Sequence, residues 1–164
     1  MVKIKICGIT NFKDAKIASE LGADIIGFVF ADSKRKIEAC EAKKIIGNLH
    51  PNIKTAGVFY NQSLDYIRKI SNYTGIDIIQ LHGDESPVFC GEIKKRVLKR
   101  IKISRKTTKS TIIADIIRYK TQYFLLDPGK GDGNIFNWNI AKSIDYPVFI
   151  AGGLTSENVL SALQ

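Results

Sequence analysis

The sequence predicts an α/β fold and, within that class, a (β/α)8 barrel of which seven βα units are present. Short apolar segments alternate with amphipathic segments of helical period along the chain. Several apolar segments contain almost no polar residue, which is typical of parallel strands covered on both faces. Strictly alternating strands and helices also imply parallel strands that are joined by right-handed crossovers.

An open, doubly wound sheet of seven strands is the alternative fold. Such a sheet concentrates its ligand-binding groups at the point where the strand order reverses. In this sequence a polar or glycine-containing stretch follows nearly every predicted strand, namely CGIT, ADSKRK, YNQS, HGDE, DPGKGDG and AGGL. Ligand-binding loops at many strand ends are a property of barrels, and the barrel is therefore favoured.

The predicted elements follow from residue type and period. Seven segments rich in Ile, Val and Phe are predicted to be strands: 3–6, 25–30, 55–59, 76–81, 97–101, 123–126 and 148–151. Helical patterns lie between and after them at 12–21, 38–49, 64–73, 111–119 and 156–163, with weaker ones at 87–95 and 138–143. Asn11, Ser63 and Thr155 precede three of these helices, and side chains of these types cap helix N-termini.

The number of units bears on the domain organisation. Seven βα units in 164 residues fall one unit short of a full barrel, for which about 200 residues is the lower limit. Nothing in the composition marks a linker or a second domain. We therefore expect one barrel domain, 1–164, that is incomplete at its C-terminus.

Composition and cysteine usage indicate the compartment. The chain is 45% hydrophobic and 25% charged, as in ordinary globular proteins. It has no apolar run of the roughly 18 residues that a membrane span needs, and no secretory leader pattern. Cys7, Cys40 and Cys90 are an odd number without a CxxC pair, which argues against a disulfide framework and a zinc site. We expect a cytoplasmic protein with reduced thiols and no membrane partner.

The net charge is +9, from 25 basic and 16 acidic side chains. Nucleic-acid binding requires such charges to cluster on one face. The densest run, KKRVLKRIKISRKTTK at 94–109, straddles a predicted strand and two connections, without interleaved aromatic residues. It is interpreted as solvated surface lysines, and secondarily as a positive field that attracts an anionic, phosphorylated substrate. No nucleic-acid partner is expected.

Cys7 is the first candidate for chemistry. It directly follows the first predicted strand, KIKI at 3–6, and so stands at the carboxyl end, where α/β folds tend to hold their active sites. A free cysteine on a short strand is more often a small core residue. Lys5, two residues earlier on the same strand face, is a cation that would stabilise a thiolate. Both readings of Cys7 stay open, whereas Cys40 and Cys90 are read as structural.

Asp127 ends an apolar strand and opens the loop in LLDPGKGDGNIFNW. Its carboxyl group is suited to acid–base chemistry or to ordering the loop as a hydrogen-bond acceptor. The glycine-rich loop is suited to closing over a substrate, with Gly131 and Gly133 as candidate contacts. It is not the dinucleotide fingerprint, because it comes late in the chain and no ribose-binding acid follows at the expected distance.

Further candidates lie beyond three other strands. Gly152 and Gly153, in AGGL, precede a capped helical pattern and favour a phosphate site built from backbone amides, although a tight turn is the plainer interpretation. Arg35 lies in the loop after the second strand, and Gln80 and His82 stand at the end of the fourth. The side chains of Arg35 and His82 are suited to contacting a carboxylate or phosphate, with ordinary loop roles as the alternative, and Gln80, a further candidate for substrate binding, lies on the same strand face as His82.

Taken together, KICGIT, GFVF with SKR, AGVFYN, IQLHGDE, LLD…GxGxxFNW and AGGLTSENV resemble the phosphoribosylanthranilate isomerase family of the phosphate-binding (β/α)8, or TIM, barrels. The resemblance runs in order across nearly the whole chain. It implies an isomerase of tryptophan biosynthesis that performs an Amadori rearrangement without a metal or organic cofactor. It also implies a small phosphorylated substrate and a monomer or homodimer.

The resemblance carries residue roles with it. The family's cysteine base, which removes the C2′ proton of the substrate, matches Cys7, and its aspartic acid, which protonates the ring oxygen, matches Asp127. The family's arginine and histidine match Arg35 and His82. The amides of Gly152 and Gly153 match part of the phosphate site.

The sequence departs from the family pattern in three places. Lys34 stands where the family usually has proline, and Asp132 places an acid in the loop after strand six. The eighth strand, with the second half of the phosphate site, is missing. A non-catalytic phosphate-ligand-binding barrel or a truncated remnant is therefore the alternative function.

Overall fold

The computed structural model describes residues 2–129, 135–142 and 144–162. The chain divides into two compact units. The first comprises Met1–Glu85 and Ile93–Val97, and the second comprises Ser86–Glu92 and Leu98–Gln164. The prediction of a single domain stays a prediction.

The first unit alternates strands and helices in the order β1 (Lys5–Cys7), α1 (Phe12–Glu20), β2 (Ile25–Val29), α2 (Ala39–Gly47), β3 (Lys54–Phe59), α3 (Leu64–Thr74) and β4 (Ile78–Leu81). Each strand pairs in parallel with the next one along the chain. The register places Cys7 opposite Gly27 and Phe59 opposite Leu81. The carboxyl ends of these four strands therefore share one edge.

Local sequence explains these elements. All five residues of β2, IIGFV, are buried, as expected of a strand that is covered on both faces. Ser63 caps the start of helix α3, where its side chain accepts from the Tyr66 amide, and Gly75 caps the end in the left-handed conformation, with φ of 79°. Its buried face contributes Ile67 and Ile70 to the core.

The second unit contains α4 (Pro87–Gly91), most of β5 (Arg96–Lys102), α5 (Lys109–Tyr119), β6 (Tyr123–Asp127), α6 (Asn139–Lys142), β7 (Val148–Ile150) and a 3₁₀ turn (Val159–Ala162). Strands β5, β6 and β7 pair in parallel, with Lys102 opposite Asp127. The core between strands and helices is formed by Ile101, Ile103, Phe124, Leu126, Ile112, Ile116, Ala141 and Ile144.

All seven predicted strands are confirmed, with bounds that differ by at most two residues. The weak helices at 87–95 and 138–143 are shorter than predicted and correspond to α4 and α6. No helix within the described ranges has the length and apolar character needed to cross a membrane.

The helix predicted at 156–163 is not an α-helix over its described part, 156–162, where a hydrogen-bonded turn from Thr155 leads into the 3₁₀ turn at Val159–Ala162; residue 163 lies outside the described residues. The Thr155 amide donates to Asn158 Oδ1 at 2.8 Å, which closes a turn ahead of it. Val159 and Leu160 are 37% and 68% exposed. Since short helices depend on packing of an apolar face, this segment lacks the burial that would sustain an α-helix.

Candidate active site

In the first unit, the predicted site residues gather at the carboxyl edge of the strands. Cys7 is the last residue of β1, and His82 directly follows β4. Arg35 lies in the loop after β2, where a bridge pairs Val29 with Lys36. This edge is where barrels and other parallel α/β folds carry their functional groups.

The thiol of Cys7 and the ammonium of Lys5 lie against the same face of Gly27. A Cβ atom built on Gly27 would stand 2.9 Å from Cys7 Sγ and 3.0 Å from Lys5 Nζ. The two groups therefore occupy the space that a side chain on β2 would fill, and they are neighbours. The predicted pairing of Cys7 with Lys5 on one strand face agrees with this placement. Cys7 is half-buried, and it packs against a small cluster that includes Val58.

Arg35 lies over the turn that follows Cys7. Its Nη1 donates to the carbonyl oxygen of Cys7 at 3.1 Å. Gly8 has a φ of +88°, and a Cβ there would come within 2.6 Å of Arg35 Cδ. Glycine is therefore needed at this position both for its backbone conformation and for the close approach of the arginine. The rest of the exposed guanidinium is placed beside the end of β1.

Gln80 and His82 form a polar pair at the end of β4. Gln80 is only 2% exposed, and its Nε2 lies 3.2 Å from His82 Nδ1. Among the residues that the structure describes, the buried Oε1 of Gln80 has no hydrogen-bond partner. An unpaired buried acceptor costs about 1–3 kcal/mol. A ligand that donated to Gln80 would remove this cost.

Glu85 is a functional candidate that the sequence reasoning missed. It is 6% exposed, and its Oε1 accepts from the amides of Asn61 and Gly83 at 2.9 and 3.2 Å. The Asp84 amide donates to Asn61 Oδ1 at 2.7 Å. These contacts fix the loop after β3 to the loop that carries His82. The acid is visible in HGDE, but only the fold shows what it joins.

In the second unit, Asp127 ends β6 and is 8% exposed. Its Oδ1 accepts from the Gly129 amide at 2.9 Å, so the carboxyl group is held by the turn that it begins. Arg100 of β5 donates from Nη2 to the carbonyl oxygen of Gly129 at 3.1 Å. Arg100 was not predicted, although a charge within the apolar run VLKRI is a visible signal. Gly131 and Gly133 lie outside the described residues.

Gly152 and Gly153 follow β7 with φ of 91° and 65°. The turn with positive φ, given above as the alternative to a phosphate site, is therefore present, and the phosphate site stays a prediction. Within 144–162, neither glycine amide donates to a protein acceptor. After these glycines the backbone turns at Thr155, whose carbonyl oxygen accepts from the amides of Asn158 and Val159 at 3.3 and 3.0 Å, and the 3₁₀ turn follows at Val159–Ala162. The groups that these two residues could offer to an anion are therefore their backbone amides.

In the ranges 2–129, 135–142 and 144–162, no three His, Cys, Asp or Glu side chains are grouped closely enough to hold a metal ion. The groups described above offer instead thiol, carboxyl, imidazole and guanidinium side chains at strand ends. These are the side chains of acid–base catalysis and anion binding.

Comparison with known proteins gives the family of the chain. The family model for N-(5′-phosphoribosyl)anthranilate isomerase matches residues 4–164. The N-(5′-phosphoribosyl)anthranilate isomerase of Pelobacter propionicus is 39% identical over 172 residues, which cover 100% of this chain and 80% of the relative. The chain thus spans about four fifths of that relative's length.

Solved structures agree. The phosphoribosylanthranilate isomerase of Thermus thermophilus is 30% identical and superposes with a TM-score of 0.90 over 99% of this chain and 82% of its own. A second phosphoribosylanthranilate isomerase structure is 34% identical and superposes with a TM-score of 0.86 over 99% of this chain and 81% of its own. It was solved in complex with reduced 1-(o-carboxyphenylamino)-1-deoxyribulose 5-phosphate. A third, 33% identical with a TM-score of 0.85 over the same shares, is a monomeric form of the dimeric enzyme of Thermotoga maritima.

These matches establish the fold class that the strand and helix pattern predicts, a (β/α)8 barrel fold represented here by seven βα units. They also establish an enzyme, an isomerase of the aldose–ketose type that acts in tryptophan biosynthesis. The chain belongs to the N-(5′-phosphoribosyl)anthranilate isomerase family.

Proposed function

We propose that this chain converts N-(5′-phosphoribosyl)anthranilate to 1-(2-carboxyphenylamino)-1-deoxyribulose 5-phosphate, with Cys7 as general base and Asp127 as general acid. The observation that carries the proposal is the pairing of Cys7 with Lys5 around Gly27 at the end of β1. At this edge of the strands the thiol offers a group that can accept a proton, and the ammonium beside it attracts an anionic substrate.

The reaction needs one proton donor and one proton acceptor. In our proposal the carboxyl group of Asp127 protonates the ribose ring oxygen as the bond from that oxygen to C1′ breaks, which leaves an iminium at C1′. The thiolate of Cys7 then removes the proton from C2′, and an enolamine results. When the enol becomes a ketone, C1′ gains hydrogen and C2′ is oxidised, so the sugar supplies both halves of the redox change.

The remaining predicted residues bind the substrate in this proposal. The Arg35 guanidinium, exposed beside the end of β1, is suited to a carboxylate or phosphate by its fork of donors. Gln80 and His82 offer polar groups at the end of β4, and the Gln80 Oε1 accepts from a substrate donor. Gly152 and Gly153 offer two amides to the phosphate. Lys5 adds a positive charge, and Gly131 and Gly133 complete the proposed set.

The direct test is turnover of phosphoribosylanthranilate, followed through the loss of its fluorescence. The 164-residue chain is assayed beside the same chain extended by the last βα unit of the Pelobacter propionicus relative. We expect measurable turnover of phosphoribosylanthranilate. The substitution Asp127→Asn should lower kcat by about 10²- to 10⁴-fold, which is the usual contribution of a general acid. Asparagine keeps the acceptor for the Gly129 amide, so the turn is retained.

The outcomes separate the alternatives. If only the extended chain turned over the substrate, the reaction would be assigned to this site. The result would also show that the site needs the last βα unit, which the relatives have and this chain does not match. Tight binding of the reduced product by both folded proteins, without turnover, would contradict the proposal and favour a non-catalytic phosphate-ligand binder. Full activity of Asp127→Asn would contradict the role of Asp127.

A further inference from the structure

Arg100 places a positive charge in the middle of a buried strand. It is the fifth residue of β5 and is only 8% exposed. The next residue, Ile101, and Ile103 just beyond the strand pack into the core between strands and helices. Because side chains alternate along a strand, Arg100 lies on the opposite sheet face, as do Leu125 and Asp127 of β6.

The guanidinium of Arg100 contacts the turn that begins at Asp127. Its Nη2 donates to the carbonyl oxygen of Gly129 at 3.1 Å and approaches that of Asp127 at 3.5 Å. The amide of Gly129 donates to Asp127 Oδ1 at 2.9 Å. The Ile103 amide donates to the carbonyl oxygen of Asp127 at 3.1 Å. Gly129 is therefore held at its amide by Asp127 and at its carbonyl by Arg100.

Fold stability alone does not account for a buried guanidinium. Removing such a charge from water costs free energy, and well-packed apolar side chains in its place often leave a protein as stable or more stable. An apolar side chain at this position would fill the space but would not donate to the two carbonyl oxygens. What the arginine adds is the geometry of the turn.

We propose that Arg100 is a positioning residue for Asp127, which fixes the Asp127–Gly129 turn and thereby the orientation of the carboxyl group. The inference rests on the acid role proposed for Asp127. Gly129 lies between Arg100 and the carboxyl group, and hydrogen bonds hold both its carbonyl oxygen and its amide. The orientation of the Asp127 carboxyl group is therefore linked to the position of Arg100. A small displacement of a catalytic group costs a large factor in rate.

The test compares Arg100→Met with Lys99→Met in the 164-residue chain. Lys99 is the neighbouring buried cation, 1% exposed, and its Nζ lies 5.4 Å from the centre of the Tyr119 ring on the helix side. Both variants lose one buried charge from the same strand. Arg100→Met loses the hydrogen bonds to the carbonyl oxygens of Asp127 and Gly129, whereas Lys99→Met loses the contact with the Tyr119 ring.

We expect Arg100→Met to speed amide hydrogen exchange at Gly129 by at least about 10-fold and to move the ¹³C carboxyl resonance of Asp127, whereas the Leu125 and Leu126 amides are unchanged. Turnover should fall by about 10- to 100-fold in kcat, with KM within about twofold. Arg100→Lys, which restores a charged donor, should recover part of kcat. Lys99→Met is free to lower Tm but should leave all these readouts unchanged.

Two results would overturn the inference. Unchanged exchange at Gly129 in folded Arg100→Met would show that the arginine does not fix the turn. A raised KM with unchanged kcat would show that Arg100 binds substrate instead of positioning the acid. Absence of turnover in the wild type would count against the proposed function, while exchange at Gly129 would still decide whether Arg100 holds the turn.

Discussion

At the scale of single residues, the site in the first unit depends on the absence of a Cβ atom at Gly27. Gly27 lies opposite Cys7 in the parallel pair of β1 and β2. The thiol and the Lys5 ammonium fill the space beside it. A glycine within a buried strand weakens that strand, and here it marks a close approach of functional groups.

We predict that Gly27→Ala lowers kcat by about 10- to 100-fold, because its Cβ would displace Cys7 Sγ and Lys5 Nζ. The matched control is Gly47→Ala at the end of α2, where a Cβ would meet nothing within 4 Å. That change should leave kcat unaltered and raise stability by about 0.4–1 kcal/mol. Steady-state kinetics and thermal unfolding check both variants, and normal turnover by Gly27→Ala would refute the steric argument.

The residues that the sequence predicts and those that it misses differ in one physical respect. Cys7 and Lys5 share a strand face through the period of two, which can be read along one strand. The role of Gly27 depends on the register between two strands, and the role of Arg100 depends on a turn 29 residues away. Such pairings are set by tertiary packing, so local sequence patterns do not reveal them.

At the scale of elements, β1 is a three-residue strand whose attachment relies on Asp24, just before β2. Asp24 Oδ1 accepts from Lys3 Nζ at 2.6 Å, and Oδ2 accepts from the Ile4 amide at 2.8 Å. The hydrogen bond from Lys3, and next the one from Ile4, lower the pKa of the Asp24 carboxyl group below its ordinary value. The ionised carboxylate therefore fastens the segment that presents Cys7.

We predict a pH-dependent cost of Asp24→Asn. When folding lowers the pKa of a carboxyl group, the ionised group stabilises the fold at pH values above the pKa of the unfolded chain, which is near 3.9. This stabilisation is lost as the pH falls through the lower pKa of the folded state. The variant should be less stable by on the order of 1 kcal/mol at pH 7. Urea unfolding from pH 7 to pH 2.5 should show the difference shrinking towards acid. A difference that persisted at pH 2.5 would refute this account.

Helices show where element prediction succeeds and where it fails. The pattern at 64–73 predicts α3 closely, because its cap, its buried stripe and its terminal glycine all agree. The pattern at 156–163 has a cap and apolar residues too, yet its described part forms a hydrogen-bonded turn and a 3₁₀ turn instead of an α-helix. The difference is burial, which a short amphipathic segment needs and which its own sequence does not specify.

At the scale of the whole molecule, strand β5 bears on the domain organisation. Arg96 and Val97 belong to the first unit, and the remainder of the strand belongs to the second. We propose that the two units form one folding domain, because a strand whose residues belong to both cannot lose its structure in one unit alone.

We therefore predict a single cooperative unfolding transition in urea. Trp138, the one tryptophan of the sequence, reports on the second unit by fluorescence, and far-UV circular dichroism reports on the helices of both units. Coincident transitions are the signature of a two-state domain. Separate midpoints for the two probes would refute the proposal and indicate two domains.

The central claim is that Cys7, beside Lys5 at the end of β1, takes the proton from the sugar. The most direct measurement is the kcat of Cys7→Ser with phosphoribosylanthranilate, beside wild type and Cys40→Ser, a change at an exposed thiol in α2. We predict that Cys7→Ser loses at least about 100-fold in kcat with its circular dichroism unchanged, whereas Cys40→Ser keeps full activity. Turnover by Cys7→Ser within a few-fold of wild type would contradict the claim.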